Sequence, residues 1–80
     1  MEIDTAQIRA ARALLDWTQT DLATAAKIAL PTVKRYETGV RTPIPIIIAA
    51  ILRAFEDAGI IFENDGKHIG VKLKIKRGRQ

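Results

Sequence analysis

The sequence predicts a mainly α-helical domain in which four helices are followed by a C-terminal β-hairpin. Apolar residues recur at helical spacing up to about residue 58, and capping residues stand where helices would start and end. After residue 60 the apolar residues alternate with polar ones, which is typical of strands. A chain of 80 residues has the size of one small domain. We therefore expect residues 1–80 to form a single domain with a helical core (5–58), a hairpin (60–75) and a basic tail (76–80).

Caps and spacing place the first two helices. Thr5 is expected to cap the first helix through its side-chain oxygen. The inner face of that helix would consist of Ile8, Ala11, Leu14 and Leu15. Thr18 is expected to cap a second, shorter helix, in which Asp21 occupies the position that completes a capping box. The inner face of this second helix would consist of Leu22, Ala23 and Ala26.

Proline and glycine delimit the third and fourth helices. Pro31 fits the first turn of the third helix, where its missing N–H has no intrahelical acceptor anyway. Gly39 would end that helix as a left-handed cap. The fourth helix is expected from about residue 46 to residue 58, because Pro43 and Pro45 exclude helical backbone from the residues before them.

The fourth helix carries more isoleucine than one helix face can bury. Its inner stripe would consist of Ile47, Ala50, Ile51, Ala54 and Phe55. Ile44 and Ile48 fall outside that stripe, and they could lie either in the core of the domain or at a dimer interface.

The pair Asp65-Gly66 predicts a type I′ turn between two strands. The register that follows from a two-residue loop pairs Asn64 with Lys67, Phe62 with Ile69, and Ile60 with Val71. This register places the apolar side chains on one face of the hairpin. Leu73 and Ile75 would continue that face beyond the end of the first strand, so a second subunit is a candidate partner for them.

Composition and charge exclude several classes of function. The chain has no cysteine and one histidine, which excludes disulfides and cysteine-based metal sites and argues against a histidine-based one. Nothing pairs a nucleophile with a base, so we expect no cofactor and no enzymatic activity.

The net charge of +4 equals that of residues 60–80, which hold six basic and two acidic side chains. The start MEIDTAQ does not resemble a signal peptide, and the longest uncharged run (42–52) is too short to span a bilayer, so we expect a cytoplasmic protein without membrane contact.

Two segments of the predicted core resemble a known family. Residues 8–23, IRAARALLDWTQTDLA, resemble the start of the lambda-type Cro/repressor (XRE) helix-turn-helix family. Residues 33–39, VKRYETG, resemble the end of its recognition helix and the glycine that follows. The resemblance covers about residues 5–58, and the hairpin is similar to a C-terminal extension of some short members. It implies a four-helix lambda-repressor-like DNA-binding domain.

The resemblance also implies that the third helix enters the major groove of double-stranded DNA. Base contacts are then expected from Arg35, Leu30 and Thr32. Arg35 can grip O6 and N7 of guanine, and Leu30 could contact a thymine methyl. Arg12 and Glu37 match a family salt bridge that ties the first helix to the third. Phosphate contacts are expected from Gln19, Thr18, Lys34, Thr38 and Arg41.

The turn before the third helix departs from the family pattern. Lys27 and Ala29 stand near the places where the family commonly carries a glycine and a Ser or Thr cap. Lys27 would therefore need a strained or altered backbone conformation. Leu30 and Pro31 stand where polar base readers are common, so sequence-specific readout would be thinner than usual.

We predict from this pattern a sequence-specific DNA-binding transcriptional regulator, a repressor that acts as a homodimer. The candidate interface residues are Ile44, Ile48, Leu73 and Ile75. The alternative is a protein-interaction module on the same fold, an antiactivator or antitoxin with weak or no DNA binding. The basic tail could hold DNA phosphates, or it could serve only edge protection and solubility.

Overall fold

The computed structural model describes residues 3–75, in which four helices precede a two-stranded antiparallel hairpin. The helices are α1 (Thr5–Leu15), α2 (Gln19–Ala26), α3 (Leu30–Thr38) and α4 (Pro45–Asp57). The strands are β1 (Ile60–Asn64) and β2 (Ile69–Leu73). This arrangement confirms the predicted fold class. The predicted basic tail, 76–80, lies outside the described residues.

Capping boxes start both α1 and α2, but the cap of α1 is one residue earlier than predicted. Asp4 keeps an extended backbone and its carboxylate accepts the Ala6 N–H at 2.8 Å, while Thr5 is already helical. The prediction for Thr5 was therefore wrong. At α2 the prediction is confirmed, since Asp21 donates its N–H to the Thr18 hydroxyl at 3.0 Å and its carboxylate accepts the Thr18 N–H at 2.8 Å.

A proline lies in the first turn of both the third and the fourth helix, as was predicted for Pro31. Pro31 lies in the first turn of α3, which has no side-chain cap, and Pro45 begins α4 one residue before the predicted start. Gly39 ends α3 with φ 114° and ψ 136°. The positive φ explains the glycine, but the extended ψ differs from the left-handed helical cap that was predicted.

The hydrophobic core is formed by the inner faces of all four helices and by the first residue of β1. Its buried members are Ile8, Ala11, Leu22, Ala23, Ala26, Val33, Tyr36, Ile51, Ala54, Phe55 and Ile60. Phe55 connects the helices to the hairpin. Its ring stacks on that of Trp17, with 5.7 Å between the ring centroids, and meets Phe62 edge to face, with 5.8 Å between the centroids.

Within residues 3–75 no helix has the length and apolar character needed to cross a membrane.

The hairpin register differs from the predicted one by two residues. The observed pairs are Ile60 with Leu73, Phe62 with Val71, and Asn64 with Ile69. A four-residue loop replaces the type I′ turn because the Asp65 carboxylate accepts the N–H groups of Lys67 and His68 at 2.8 and 2.7 Å. These backbone hydrogen bonds, from Lys67 first and then His68, also hold the pKa of Asp65 below its usual range. A shift of two keeps every side chain on its predicted face.

The corrected register changes the surroundings of the strand end. Leu73 was predicted to extend beyond the first strand. This prediction was wrong, because Leu73 pairs with Ile60 and packs against the core. Ile75 does lie beyond the paired residues, with 69% of its surface exposed.

The structure decides between the two positions that the sequence left open for Ile44 and Ile48. Ile48 is half-buried and packs against the core, because it neighbours Ile47 and Ile51 on the inner side of the helix. The exposed isoleucines are Ile44 (51% exposed) and Ile46 (74% exposed). Of the two positions left open for each, Ile48 takes the one against the core and Ile44 lies outside it. The apolar surface at the start of α4 is defined by Ile44 and Ile46.

A buried glutamine attaches the hairpin to α1. Gln7 is 3% exposed, and its Nε2 donates to the backbone carbonyls of Glu63 and Gly70, both at 3.0 Å. Its Oε1 accepts the Asp4 N–H at 3.0 Å. The sequence analysis did not single out Gln7, although a glutamine three residues after Asp4 is the signature of a capping box.

Candidate nucleic-acid interface

Helices α2 and α3 are joined by a short turn, residues 27–29. Lys27 has φ 59° and ψ 45°, a left-handed conformation that its side chain disfavours, as the sequence suggested. The turn closes on α2 because the Ile28 N–H donates to the Ala23 carbonyl at 3.0 Å. Two helices connected in this way present the second one outward from the domain, which is the arrangement of a helix-turn-helix.

The outward face of α3 is a single stripe. Val33, Tyr36 and Glu37 are buried against the domain. The exposed residues on the opposite side are Pro31, Lys34, Arg35 and Thr38, which we call the α3 stripe. Residues three and four apart share one side of a helix, so these four side chains lie together.

The three predicted base contacts occupy different environments. Arg35 is exposed on the α3 stripe. Leu30 is half-buried and packs against the core, so part of its side chain is already covered. Thr32 is half-buried on the flank of the stripe.

Two of the predicted phosphate contacts, Lys34 and Thr38, lie on the α3 stripe, and the other three (Thr18, Gln19 and Arg41) lie outside α3. Lys34 and Arg41 are exposed. Thr38 is exposed too, and its hydroxyl donates to the backbone carbonyls of Lys34 and Arg35 at 3.2 and 3.1 Å. The Thr18 hydroxyl is exposed and accepts the Asp21 N–H as the α2 cap. Gln19 is the first residue of α2, and its half-buried side chain turns toward α3.

A buried ion pair fixes α3 to α1. Arg12 donates two hydrogen bonds to the Glu37 carboxylate, from Nε to Oε2 at 2.5 Å and from Nη2 to Oε1 at 2.9 Å. Gln19 adds a third hydrogen bond, from Nε2 to Glu37 Oε1 at 3.1 Å. Arg12 also donates to the Trp17 carbonyl at 2.9 Å. The carboxylate is therefore held from α1 and from α2 at once.

Burial alone would raise the pKa of Glu37, which is 3% exposed. The hydrogen bonds from Arg12 and Gln19, together with the positive charges of Arg12 and Arg9, outweigh that cost. The net effect is a pKa below the usual carboxyl range. At neutral pH Glu37 therefore carries a negative charge, and the positive charge of Arg12 balances it inside the domain.

The surface around α3 is left with an excess of positive charge. Between residues 27 and 41 the only acidic side chain is Glu37, which is buried. The basic side chains of this segment are all exposed: Lys27, Lys34, Arg35 and Arg41. An exposed helix whose flanks are cationic attracts polyanions such as nucleic acid.

Arg9 is a contact that the sequence analysis missed. Its Nη1 donates to the backbone carbonyl of Glu37 at 2.6 Å, near the end of α3. Arg9 lies one helical turn before Arg12, and this spacing could have indicated that both arginines reach the same helix.

Within residues 3–75 no group of three acidic or histidine side chains is arranged to hold a metal ion.

Comparison with known proteins agrees with this geometry. A family model described as helix-turn-helix matches residues 8–56, which is more than half of the chain. A search of curated proteins found no match. The matched segment contains the buried ion pair, the turn at Lys27 and the α3 stripe. The chain therefore belongs to the helix-turn-helix family, in its lambda-type Cro/repressor (XRE) form, and is a DNA-binding transcriptional regulator.

Proposed function

We propose that the protein is a non-enzymatic repressor that binds a promoter as a homodimer, with α3 of each protomer in the major groove. The observation that carries this proposal is the α3 stripe, an exposed and cationic helix face held rigidly by the buried ion pair of Arg12 and Glu37. A rigid support matters because base readout depends on placing a side chain accurately on a base edge. A chromosomal operator as partner would place the protein in the cytoplasm.

Arg35 is the proposed principal base reader. Its guanidinium is exposed on the α3 stripe and can donate two hydrogen bonds to O6 and N7 of one guanine. Leu30 and Thr32, at the flanks of the stripe, would contribute smaller contacts because both are half-buried.

The proposed phosphate contacts come from the start of α2, from α3 and from the loop after α3. The first N–H groups of α2, at Gln19 and Thr20, have no acceptor within the helix and suit a phosphate oxygen. Lys34 and Arg41 would add positive charge on either side of the groove. The Thr18 hydroxyl accepts the Asp21 N–H, so its own O–H would donate to a phosphate oxygen. The Thr38 hydroxyl donates within α3, so it would contribute as a hydrogen-bond acceptor for ordered water.

The first test is binding of the full chain to its own upstream DNA, measured by fluorescence anisotropy. Arg35→Ala is expected to weaken binding by about tenfold or more and to relax the preference for guanine at one position. Arg53→Ala, which removes an exposed arginine from α4, is the matched control and should bind as the wild type does. Equal binding by wild type and Arg35→Ala would exclude the role proposed for Arg35.

A second candidate function is a protein-interaction module, an antiactivator or antitoxin. The apolar surface at the start of α4 (Ile44 and Ile46) and the apolar start of α3 favour it. Salt separates the two candidates, because DNA binding through several phosphates weakens steeply with added salt. A complex with a protein through an apolar interface would hardly change between about 50 and 200 mM salt.

A further inference from the structure

The N-terminal end of the α3 stripe is apolar. Pro31 is exposed and has no backbone N–H to donate. At 100° per residue, Lys34 and Arg35 fall on either side of Pro31 when α3 is viewed along its axis. Leu30 is half-buried against the core. Pro31, and not Leu30, is therefore the apolar group that α3 presents at the centre of its outward face.

Arg35 lies about one helical turn beyond Pro31. Four residues of α-helix rise about 6 Å, and successive bases on one DNA strand are about 3.4 Å apart. A helix that places the Arg35 guanidinium on a base edge thus places the Pro31 ring within about two base-pair steps of that base.

The chemistry of the α3 stripe limits which bases it can read. Lys34 and Arg35 only donate hydrogen bonds, and the Thr38 hydroxyl donates to carbonyls of its own helix. The four residues of the stripe include no amide to bind adenine on two atoms and no carboxylate to accept from the cytosine amino group. The features that remain for these side chains are the major-groove acceptors (O6 and N7 of guanine, N7 of adenine and O4 of thymine) for Lys34 and Arg35, and the 5-methyl group of a pyrimidine for the apolar Pro31.

We propose that Pro31 reads the 5-methyl group of a pyrimidine within about two base pairs of the guanine bound by Arg35. This inference rests on the major-groove binding proposed above. It predicts that the protein distinguishes thymine from uracil, and 5-methylcytosine from cytosine, at one position of each half-site. Methylation of a cytosine at that position would then raise the affinity of the regulator for its operator.

Pro31 also has a role that needs no DNA, because proline in the first turn favours the start of a helix. The two roles can be separated experimentally. The methyl group can be removed from the DNA while the protein, its fold and its charge stay unchanged.

The experiment begins with an operator duplex selected by the full chain from a random-sequence duplex library. Each thymidine of that duplex is then replaced in turn by deoxyuridine, and affinity is measured by fluorescence anisotropy. At one position per half-site, loss of the methyl group should weaken binding about fourfold, the effect expected for one buried methyl. At the same position 5-methylcytosine should bind about fourfold more tightly than cytosine.

Protein variants assign the effect to Pro31. Pro31→Ser keeps a residue that is suited to the first helical turn and removes the ring carbons, so it should bind the thymine and uracil duplexes equally. Arg35→Ala should lose the guanine preference and keep the ratio between thymine and uracil. Circular dichroism melting of both variants verifies that α3 still forms.

Each outcome bears on a different claim. If the wild type binds every deoxyuridine duplex as it binds the thymidine duplex, methyl reading is wrong although DNA binding stands. If Pro31→Ser keeps the ratio between thymine and uracil, the assignment to Pro31 is wrong. If the library yields no bound duplex, the proposed DNA-binding function fails and this inference fails with it.

Discussion

Glu37 is the residue at which contacts from three helices meet. It belongs to α3, and its carboxylate is bound by Arg12 of α1 and Gln19 of α2. A carboxyl whose pKa is lower in the folded state stabilises the fold while it is ionised. This contribution is fully present above the unfolded pKa of about 4.3, and it is lost as the pH falls through the lower folded pKa.

Glu37→Gln is therefore expected to lower the free energy of unfolding at pH 7 by about 3 kcal/mol, because Arg12 is left without its counter-charge. The difference between variant and wild type should shrink as the pH falls below about 4, because the unfolded wild-type chain takes up a proton on this carboxyl there, and it should be smallest once the pH lies below the lower folded pKa. Urea denaturation followed by circular dichroism at several pH values measures both effects.

Glu56→Gln is the matched control, since it removes the same charge from an exposed position on α4. It should change the free energy of unfolding by less than about 0.5 kcal/mol. A Glu37→Gln effect that stays constant from neutral to acidic pH would show that the stabilisation does not depend on ionisation of Glu37.

Lys27 lowers the stability of the fold, because a residue with a side chain pays a steric penalty for the left-handed backbone that Lys27 adopts in the turn before α3. Lys27→Gly is expected to raise the free energy of unfolding by about 0.5–1 kcal/mol, because glycine adopts this conformation without a steric penalty. Lys27→Ala removes the same charge and keeps the strain, so thermal denaturation should show no gain. An equal gain from both variants would attribute the effect to the charge instead of the backbone.

At the scale of elements, the hairpin depends on one side chain of α1. Gln7 donates to carbonyls of both strands, at Glu63 and Gly70. Gly70 has no side chain, and it lies beside Ala6 and Gln7 in a groove between α1 and β2. The hairpin is therefore positioned by a polar contact as well as by the apolar contacts of Phe62, Val71 and Leu73 with the core.

Gln7→Glu tests this anchor selectively. The variant keeps the acceptor for the Asp4 N–H but replaces the amide donor with a carboxylate that faces two carbonyl oxygens. We expect a loss of about 2–3 kcal/mol in the free energy of unfolding. Hydrogen exchange should show faster opening of the β1 and β2 amides than of those in α2 and α3.

The control for this prediction is Asp4→Ala, which removes only the α1 cap. It should cost about 1 kcal/mol and leave the exchange of the hairpin amides unchanged relative to the other elements. Uniform exchange in Gln7→Glu would contradict an anchoring role for the amide.

For the whole molecule, the main expectation concerns assembly. The corrected register gives Leu73 a partner within its own chain, so the hairpin end offers mainly Ile75 as apolar surface. The start of α4 offers both Ile44 and Ile46. If the protein dimerises through exposed apolar residues, the start of α4 is the better supported surface.

Light scattering at micromolar concentration is expected to give the mass of a dimer for the wild type. Ile46→Glu should give a monomer, because a charge would be buried in the interface without a partner, and it should also weaken DNA binding. Ile75→Glu should remain a dimer. A monomeric wild type, or dissociation of the Ile75→Glu variant instead, would contradict this assignment.

Periodicity and capping were sufficient to predict most of the elements. Thr18 with Asp21, Pro31 and Pro45 act within one turn of helix, so their effect on the backbone is local and readable from sequence. The alternation after residue 60 likewise predicted a hairpin and the correct apolar face. The pairing of Arg12 with Glu37 was expected only through the family resemblance, because the two residues are far apart in sequence and meet only in the fold. The contact of Gln19 with Glu37 was not expected, since Gln19 had been assigned to a DNA phosphate.

Other features were decided by tertiary structure. The register depends on how the Asp65 carboxylate bonds to the loop and on the packing of Leu73 against the core, neither of which the alternating pattern distinguishes. The anchoring of the hairpin by Gln7 joins residues that lie 56 and 63 positions apart. Local signals determined which elements form and which faces are apolar, because those properties depend on neighbouring residues. The fold alone decided that Ile46 is exposed, that Ile48 is half-buried and that Leu30 is half-buried beside an exposed Pro31, because burial depends on what packs opposite.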